Sequence, residues 1–197
     1  DGVQGFLGVP FHFADVDMYT ISAHKLHGPK GVGALAVKKG VRLNPQHIGG
    51  GQEEDLRSGT ETTPGIAGFY EAVREMDASG LMEKKLHMVR AFMDAVPEAA
   101  INGPAPEKGA PHILNISFPG VRGETMLHAL EAEGVYASTG SACSSKKRKV
   151  SSVLTAMGTP VDRAESALRF SLSPHTTLEE IDYAAEVLRR VWPQLRR

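Results

Sequence analysis

Two positions combine a nucleophilic side chain with a local pattern that could use it. Lys25 lies in Ser22-Ala23-His24-Lys25-Leu26-His27-Gly28-Pro29-Lys30-Gly31, between an apolar segment, Val16 to Ile21, and a second strand-like run, Gly31 to Val37. Both flanking runs are short and contain β-formers, as buried strands do. A lysine on a turn between buried strands is expected to dip toward the interior, where it costs desolvation free energy unless it has a use. One use is an imine with a carbonyl cofactor, a chemistry promoted by a lowered amine pKa. On the local pattern alone, a solvated Gly-Pro turn is the commoner setting for Lys25 and Lys30.

Cys143, the only cysteine, stands in Ser138-Thr139-Gly140-Ser141-Ala142-Cys143-Ser144-Ser145 and is followed by Lys146-Lys147-Arg148-Lys149. Nearby cations favour a thiolate, and small residues leave it accessible. A single thiol forms no internal disulfide, fits a reducing cytoplasm and is a candidate nucleophile. The same residue also reads as a small buried hydrophobe, and the basic run as a solvated helix start or a patch for an acidic partner. Arg169 falls inside an apolar strand pattern, Ala167 to Ser173. There its guanidinium fork suits capture of a carboxylate, either a structural partner or a ligand.

The elements that position these residues follow from periodicity. Apolar spacing predicts helices over Ile66 to Met76 and Leu81 to Val96, with a domain boundary near Gly80. Pro97 and Gly103-Pro104-Ala105-Pro106 mark a loop. Strands are expected at His112 to Phe118 and Val135 to Ala137, and helices at Glu124 to Glu133 and Val150 to Met157. Thr176 or Thr177 caps a last helix that carries Ile181, Ala184, Ala185, Leu188, Val191 and Trp192 on one face. Gly49-Gly50-Gly51 gives a segment before it backbone freedom that a core element does not need. Hydrophobic content of 41% and charged content of 23% are those of an ordinary globular protein. A net charge of −1 gives no reason to invoke nucleic acid or an anionic membrane. No apolar run approaches the roughly 20 residues that span a bilayer, and there is no signal-peptide pattern.

Several motifs fall in order along nearly the whole chain. They are Asp1-Gly2-Val3-Gln4, Ser22-Ala23-His24-Lys25, Gly49-Gly50-Gly51-Gln52-Glu53 with Arg57-Ser58-Gly59-Thr60, the Cys143 loop, and Leu168-Arg169-Phe170-Ser171. Together they resemble the cysteine desulfurases of the NifS/IscS kind. The resemblance implies an α/β pyridoxal-phosphate enzyme of fold type I, aspartate-aminotransferase-like. Residues 1–80 would be the last part of the large domain, and residues 81–197 an α+β small domain. Lys25 would hold the cofactor, Ser22 and His24 its phosphate, Asp1 its protonated ring nitrogen and Gln4 its phenolic oxygen. Thr60 would reach the cofactor phosphate of the neighbouring subunit in a homodimer. Arg169 would bind the substrate α-carboxylate, and no metal is implied. Cys143 would attack the sulfur of L-cysteine, leaving L-alanine and a persulfide for a sulfur-acceptor protein, such as an iron–sulfur scaffold or a tRNA-thiolation protein.

The resemblance has a local departure. After the arginine, family members continue with a glycine and an aromatic residue, where this chain has Ser173-Pro174-His175. The start at Asp1, without methionine, reads as the C-terminal part of a longer cytoplasmic protein. The family's ring-stacking histidine and N-terminal phosphate loop are then expected before Asp1. A selenocysteine lyase or a small-molecule aminotransferase would share the fold, though the Cys143 loop argues against the aminotransferase. A non-catalytic fragment that keeps partner-binding surfaces is the reading from another class.

Overall fold

The computed structural model describes residues 1–140 and 150–196, so Cys143 and the basic run after it lie outside the described residues. The chain divides into two compact units, Asp1–Asp77 and Ala78–Arg197.

In the first unit, β1 (Met18–Ser22) and β2 (Gly33–Val37) form an antiparallel ribbon in which Ile21 faces Ala34 and Ser22 faces Gly33. A single 3-10 turn, Ala23–Leu26, leaves β1, and the helix α1 (Thr63–Glu75) packs near it with proline in its first turn. The approach is close: a Cβ on Gly68 would stand 2.6 Å from the Pro29 ring. The chain start folds back on β1. Gly2 N–H donates to Thr20 O at 3.0 Å, and the Tyr19 ring occupies the space a Gly2 side chain would need. Phe11 stacks on Tyr19 with centroids 4.0 Å apart.

The ribbon differs from expectation in burial. Its strands form where the apolar runs place them, yet Met18 is 46% exposed and Leu35 47%. An apolar β-pattern dictates extended backbone, whereas burial needs a covering layer, and two strands alone supply none.

The second unit is built on an antiparallel sheet in the order β3 (Ala100–Ile101), β4 (Ile113–Ser117), β5 (Ala167–Ser171). Alternation sends Leu114 and Ile116 of β4, with Leu168 and Phe170 of β5, into one core. That core is shared by α2 (Leu81–Ala95), α3 (Gly123–Ala132) and α6 (Leu178–Leu195). Phe92 meets Phe170 edge-on, with centroids 4.8 Å apart. Thr177, rather than Thr176, caps α6 in a reciprocal capping box with Glu180. All six apolar residues expected on its inner face are buried, and Val187 joins them.

The helix expected over Val150 to Met157 is present as α4 (Ser152–Ala156), and a second short helix that was not expected, α5 (Val161–Glu165), follows it. Val135 to Ala137 is not a strand; pairing there is confined to Ser138, which bridges Arg169. β3 lies within the loop expected after Pro97, because a two-residue edge strand is set by its partner and not by its own pattern. Among the described residues no helix is long and apolar enough to cross a membrane.

Lys85, on the inner side of α2, is only 3% exposed and donates from Nζ to Ala110 O at 2.8 Å. Burial pushes its pKa down, against the opposing pull of Glu107. The unfolded chain therefore holds this proton to higher pH than the folded one, so Lys85 makes stability rise as pH climbs toward the ordinary lysine value of 10.5. Urea titrations of wild type and Lys85→Met between neutral and alkaline pH should show that rise, relative to the variant, only in wild type. Parallel curves would contradict it. Separately, Phe92→Ala should cost about 3–5 kcal/mol of unfolding free energy. A loss under about 1 kcal/mol would mean the core is not packed around this ring.

Candidate functional site

The first unit gathers polar groups at the C-terminal end of β1. The 3-10 turn there buries Ala23 and Leu26, three residues apart, and so turns His24 and Lys25 outward. His27 closes the turn in the left-handed conformation (φ 64°), and Gly28 N–H donates back to Ala23 O at 3.0 Å. A Cβ on Gly28 would press on Ala23 O and on Ala72 of α1. Opposite Ser22, a Cβ on Gly33 would come within 2.5 Å of Ile21 O, so only glycine fits that position.

This local geometry corrects the sequence expectation for Lys25. Its side chain does not dip into an interior; it is exposed on the turn, as is His24, and Ser22 is half-buried. The physical reason is the i, i+3 burial of Ala23 and Leu26, which leaves the residues between them on the outside. Lys25 Nζ makes no hydrogen bond among the described residues.

Asp1 is brought to the same strand. Its Oδ1 accepts from Val3 N–H at 2.9 Å and from Thr20 Oγ at 3.3 Å. Thr20 is two residues before Ser22, which puts the carboxylate about 7 Å along the strand from the serine. Gln4 follows in the turn after Asp1 and is exposed. Thr60 is also exposed, in the segment leading to α1, and no hydrogen bond among the described residues joins it to the Lys25 turn. The glycine segment before it is folded on itself, since Gly59 N–H donates to Gln52 Oε1 at 3.0 Å.

The second unit presents Arg169 in the middle of β5, on the sheet face away from the core. No carboxylate pairs with it among the described residues. Its Nε is buried and lacks a hydrogen-bond partner there, a costly state for a charged donor unless a ligand supplies the acceptor. Its main chain is tied to Ser138 in both directions: Arg169 N–H donates to Ser138 O at 2.6 Å, and Ser138 N–H to Arg169 O at 3.0 Å. The segment that runs on toward Cys143 is thus rooted at the arginine.

One group was not singled out from the sequence. Asn102, Asn115, Ser117 and Arg163 form a polar cluster beside β5. The signal available was the alternation within Ile113-Leu114-Asn115-Ile116-Ser117, which sets polar side chains on the face that Arg169 shares.

Comparison with known proteins places this geometry. The family described as aminotransferase class-V matches residues 1–184. A cysteine desulfurase IscS of Dictyoglomus turgidum is 40% identical over all of this chain, and a cysteine desulfurase of Sinorhizobium fredii is 42% identical, the match covering 52% of each relative. Among solved structures, a NifS-like protein superposes with a TM-score of 0.84 at 36% identity, over 99% of this chain and 52% of its own. A NifS-like protein from Rickettsia africae gives 0.76 at 29% identity, over 98% of this chain and 52% of its own. The chain therefore spans about half the length of the relatives it matches. Its motifs, its sheet and these matches agree: the chain belongs to the class-V aminotransferase family, with the fold type I architecture and with NifS- and IscS-like cysteine desulfurases as its relatives.

Proposed function

We propose that this chain is the C-terminal half of a cysteine desulfurase that converts L-cysteine to L-alanine and carries the sulfur away as a persulfide on Cys143. The observation that carries this reading is the Nε of Arg169, buried and without a hydrogen-bond partner among the described residues, on a strand paired with Ser138. An amino-acid carboxylate is the acceptor such a guanidinium lacks among the described residues, and holding it fixes the orientation of the substrate.

The donor set at the end of β1 fits pyridoxal phosphate by its chemistry. Lys25 offers an exposed amine with no competing hydrogen bond among the described residues, suited to holding the cofactor covalently. Ser22 and His24 offer phosphate donors. Asp1, already oriented by Val3 and Thr20, offers the carboxylate for a protonated ring nitrogen, with Gln4 close behind it in sequence. The span of about 7 Å between Asp1 and Ser22 along the strand is comparable to one substituted pyridine ring. When bound, the cofactor supplies an electron sink for the substrate carbon, and a carboxylate against its nitrogen sustains that role.

The remaining roles belong to this chain's own residues. Lys25 would also serve as the general base and acid that moves protons at the substrate carbon. Cys143, as thiolate, would attack the substrate sulfur: its S–S bond forms as the substrate C–S bond breaks, and the C–S electron pair stays with the substrate carbon, where a proton from Lys25 completes L-alanine. The persulfide then passes to a sulfur-acceptor protein for iron–sulfur assembly or thiolation. Thr60, outside the Lys25 cluster, suits the role of a phosphate ligand for the partner subunit of a homodimer. In this reading residues 1–80 complete the cofactor-binding domain, residues 81–197 form the small domain, and the lone cysteine suits a reducing cytoplasm.

The test is made in the complete enzyme with L-cysteine. Protein-bound sulfur, detected by mass spectrometry as one extra sulfur on the Cys143 peptide, should vanish in Cys143→Ala. Undiminished sulfur transfer in that variant would overturn the assignment. Arg169→Lys should raise KM for L-cysteine about tenfold or more, as loss of a charged, forked hydrogen bond of about 1.5–3 kcal/mol requires. An unchanged KM would remove Arg169 from the substrate site.

A further inference from the structure

On the face of the second unit's sheet that carries Arg169, the residue directly opposite it is Asn115. Cross-strand neighbours at this spacing are close enough to interact, and a neutral amide oxygen is an acceptor the guanidinium could take. It does not take it, and the hydrogen bonds around Asn115 explain why.

Arg163 Nε donates to Asn102 Oδ1 at 2.7 Å, and Arg163 Nη2 donates to Ile101 O. A guanidinium has donors and no acceptor, so the oxygen of Asn102 must be the end that faces it. The amide nitrogen of Asn102 is thereby directed at Ser117 Oγ (2.8 Å) and Asn115 Oδ1 (2.7 Å). Ser117 Oγ donates onward to Arg163 O at 2.6 Å, which closes a ring in which every bond has one permitted direction. Asn115 Oδ1 is therefore engaged toward the β3 side of the sheet. With its oxygen turned that way, the Asn115 amide directs its nitrogen to the β5 side, and a donor cannot satisfy another donor.

We propose that Arg163 and Asn102 are positioning residues that keep Arg169 open for a carboxylate, by holding the amide oxygen of Asn115, the residue opposite it, turned toward β3. The proposal rests on the reading of Arg169 as the carboxylate-binding residue. It adds that the availability of Arg169 is set by a directional relay that starts at α5, six residues upstream in the chain.

The experiment is a titration of the 197-residue chain with L-alanine, followed through the Arg169 Nε–H signal in nitrogen-15 NMR. Arg169→Lys identifies the signal. In wild type the signal should shift saturably. Asn115→Asp keeps an acceptor for Asn102 and adds a carboxylate oxygen opposite Arg169. It should weaken L-alanine binding about tenfold or more, the equivalent of one charge-assisted bond. Arg163→Met frees Asn102 to reverse and release Asn115, and should weaken binding about threefold or more. Asn115→Ala has no oxygen to offer and should stay within about twofold of wild type. Combining Arg163→Met with Asn115→Ala should restore binding, although thermal unfolding shows the pair less stable than either single variant. A purely structural role for Arg163 cannot give that restoration. If Arg163→Met does not fold, the contrast between Asn115→Asp and Asn115→Ala decides alone. A wild-type signal that ignores L-alanine overturns the carboxylate reading and this proposal together. A responsive wild type with Asn115→Asp equally responsive overturns only the relay.

Discussion

The two main-chain hydrogen bonds between Ser138 and Arg169 do more than hold one residue pair. They occupy the edge of β5 that β4 leaves unpaired, and in doing so they fix where the chain goes after α3. Because strand side chains alternate, the same pairing that sends Leu168 and Phe170 into the core sends Arg169 to the opposite face. The arginine is thus positioned by the hydrophobic core beneath it, through Phe92 and Phe118 packing on Phe170. Gly123 belongs to the same arrangement. A Cβ there would crowd Glu165 O and Ala167 O and touch Thr139, so α3 can start close to β5 only at a glycine.

The first unit solves a different problem. It presents an amine, an imidazole and a hydroxyl at one strand end without a core to anchor them. The solution is steric and local. Ala23 and Leu26 pin a single turn from inside, His27 and Gly28 close it, and Gly33 lets the neighbouring strand approach. Asp1 joins this end because Gly2 sits under the Tyr19 ring and pairs with Thr20, which brings the chain start alongside β1. The burial that elsewhere stabilises a domain is thin here. Exposed apolar side chains on both strands accord with a unit whose relatives are about twice this chain's length.

What the sequence made legible were features encoded by short-range pattern. The apolar stripe of α6, the strand around Arg169 and the turn bearing Lys25 need only periodicity and turn chemistry to be read. The family could be read from its motifs, because covalent chemistry demands particular residue types at particular spacings. The features that escaped depend on partners distant in the chain. β3 exists because β4 is there to pair with it. Val135 to Ala137 stays irregular because only Ser138 reaches a partner. The exposure of Lys25 follows from which residues of a four-residue turn face inward, which the apolar runs on either side do not determine. The Asn102, Asn115, Ser117 and Arg163 ring links residues up to 61 apart, and no local pattern announces it.

The account's central claim is that the turn after β1 exists to present Lys25 to a carbonyl cofactor. The most direct measurement is the visible spectrum after addition of pyridoxal phosphate, followed by borohydride reduction and mapping of the modified peptide. The account predicts a reduced adduct on Lys25, and none there when Lys25 is replaced by alanine. An adduct spread over Lys30, Lys38 and Lys39, with Lys25 unmodified, would contradict it.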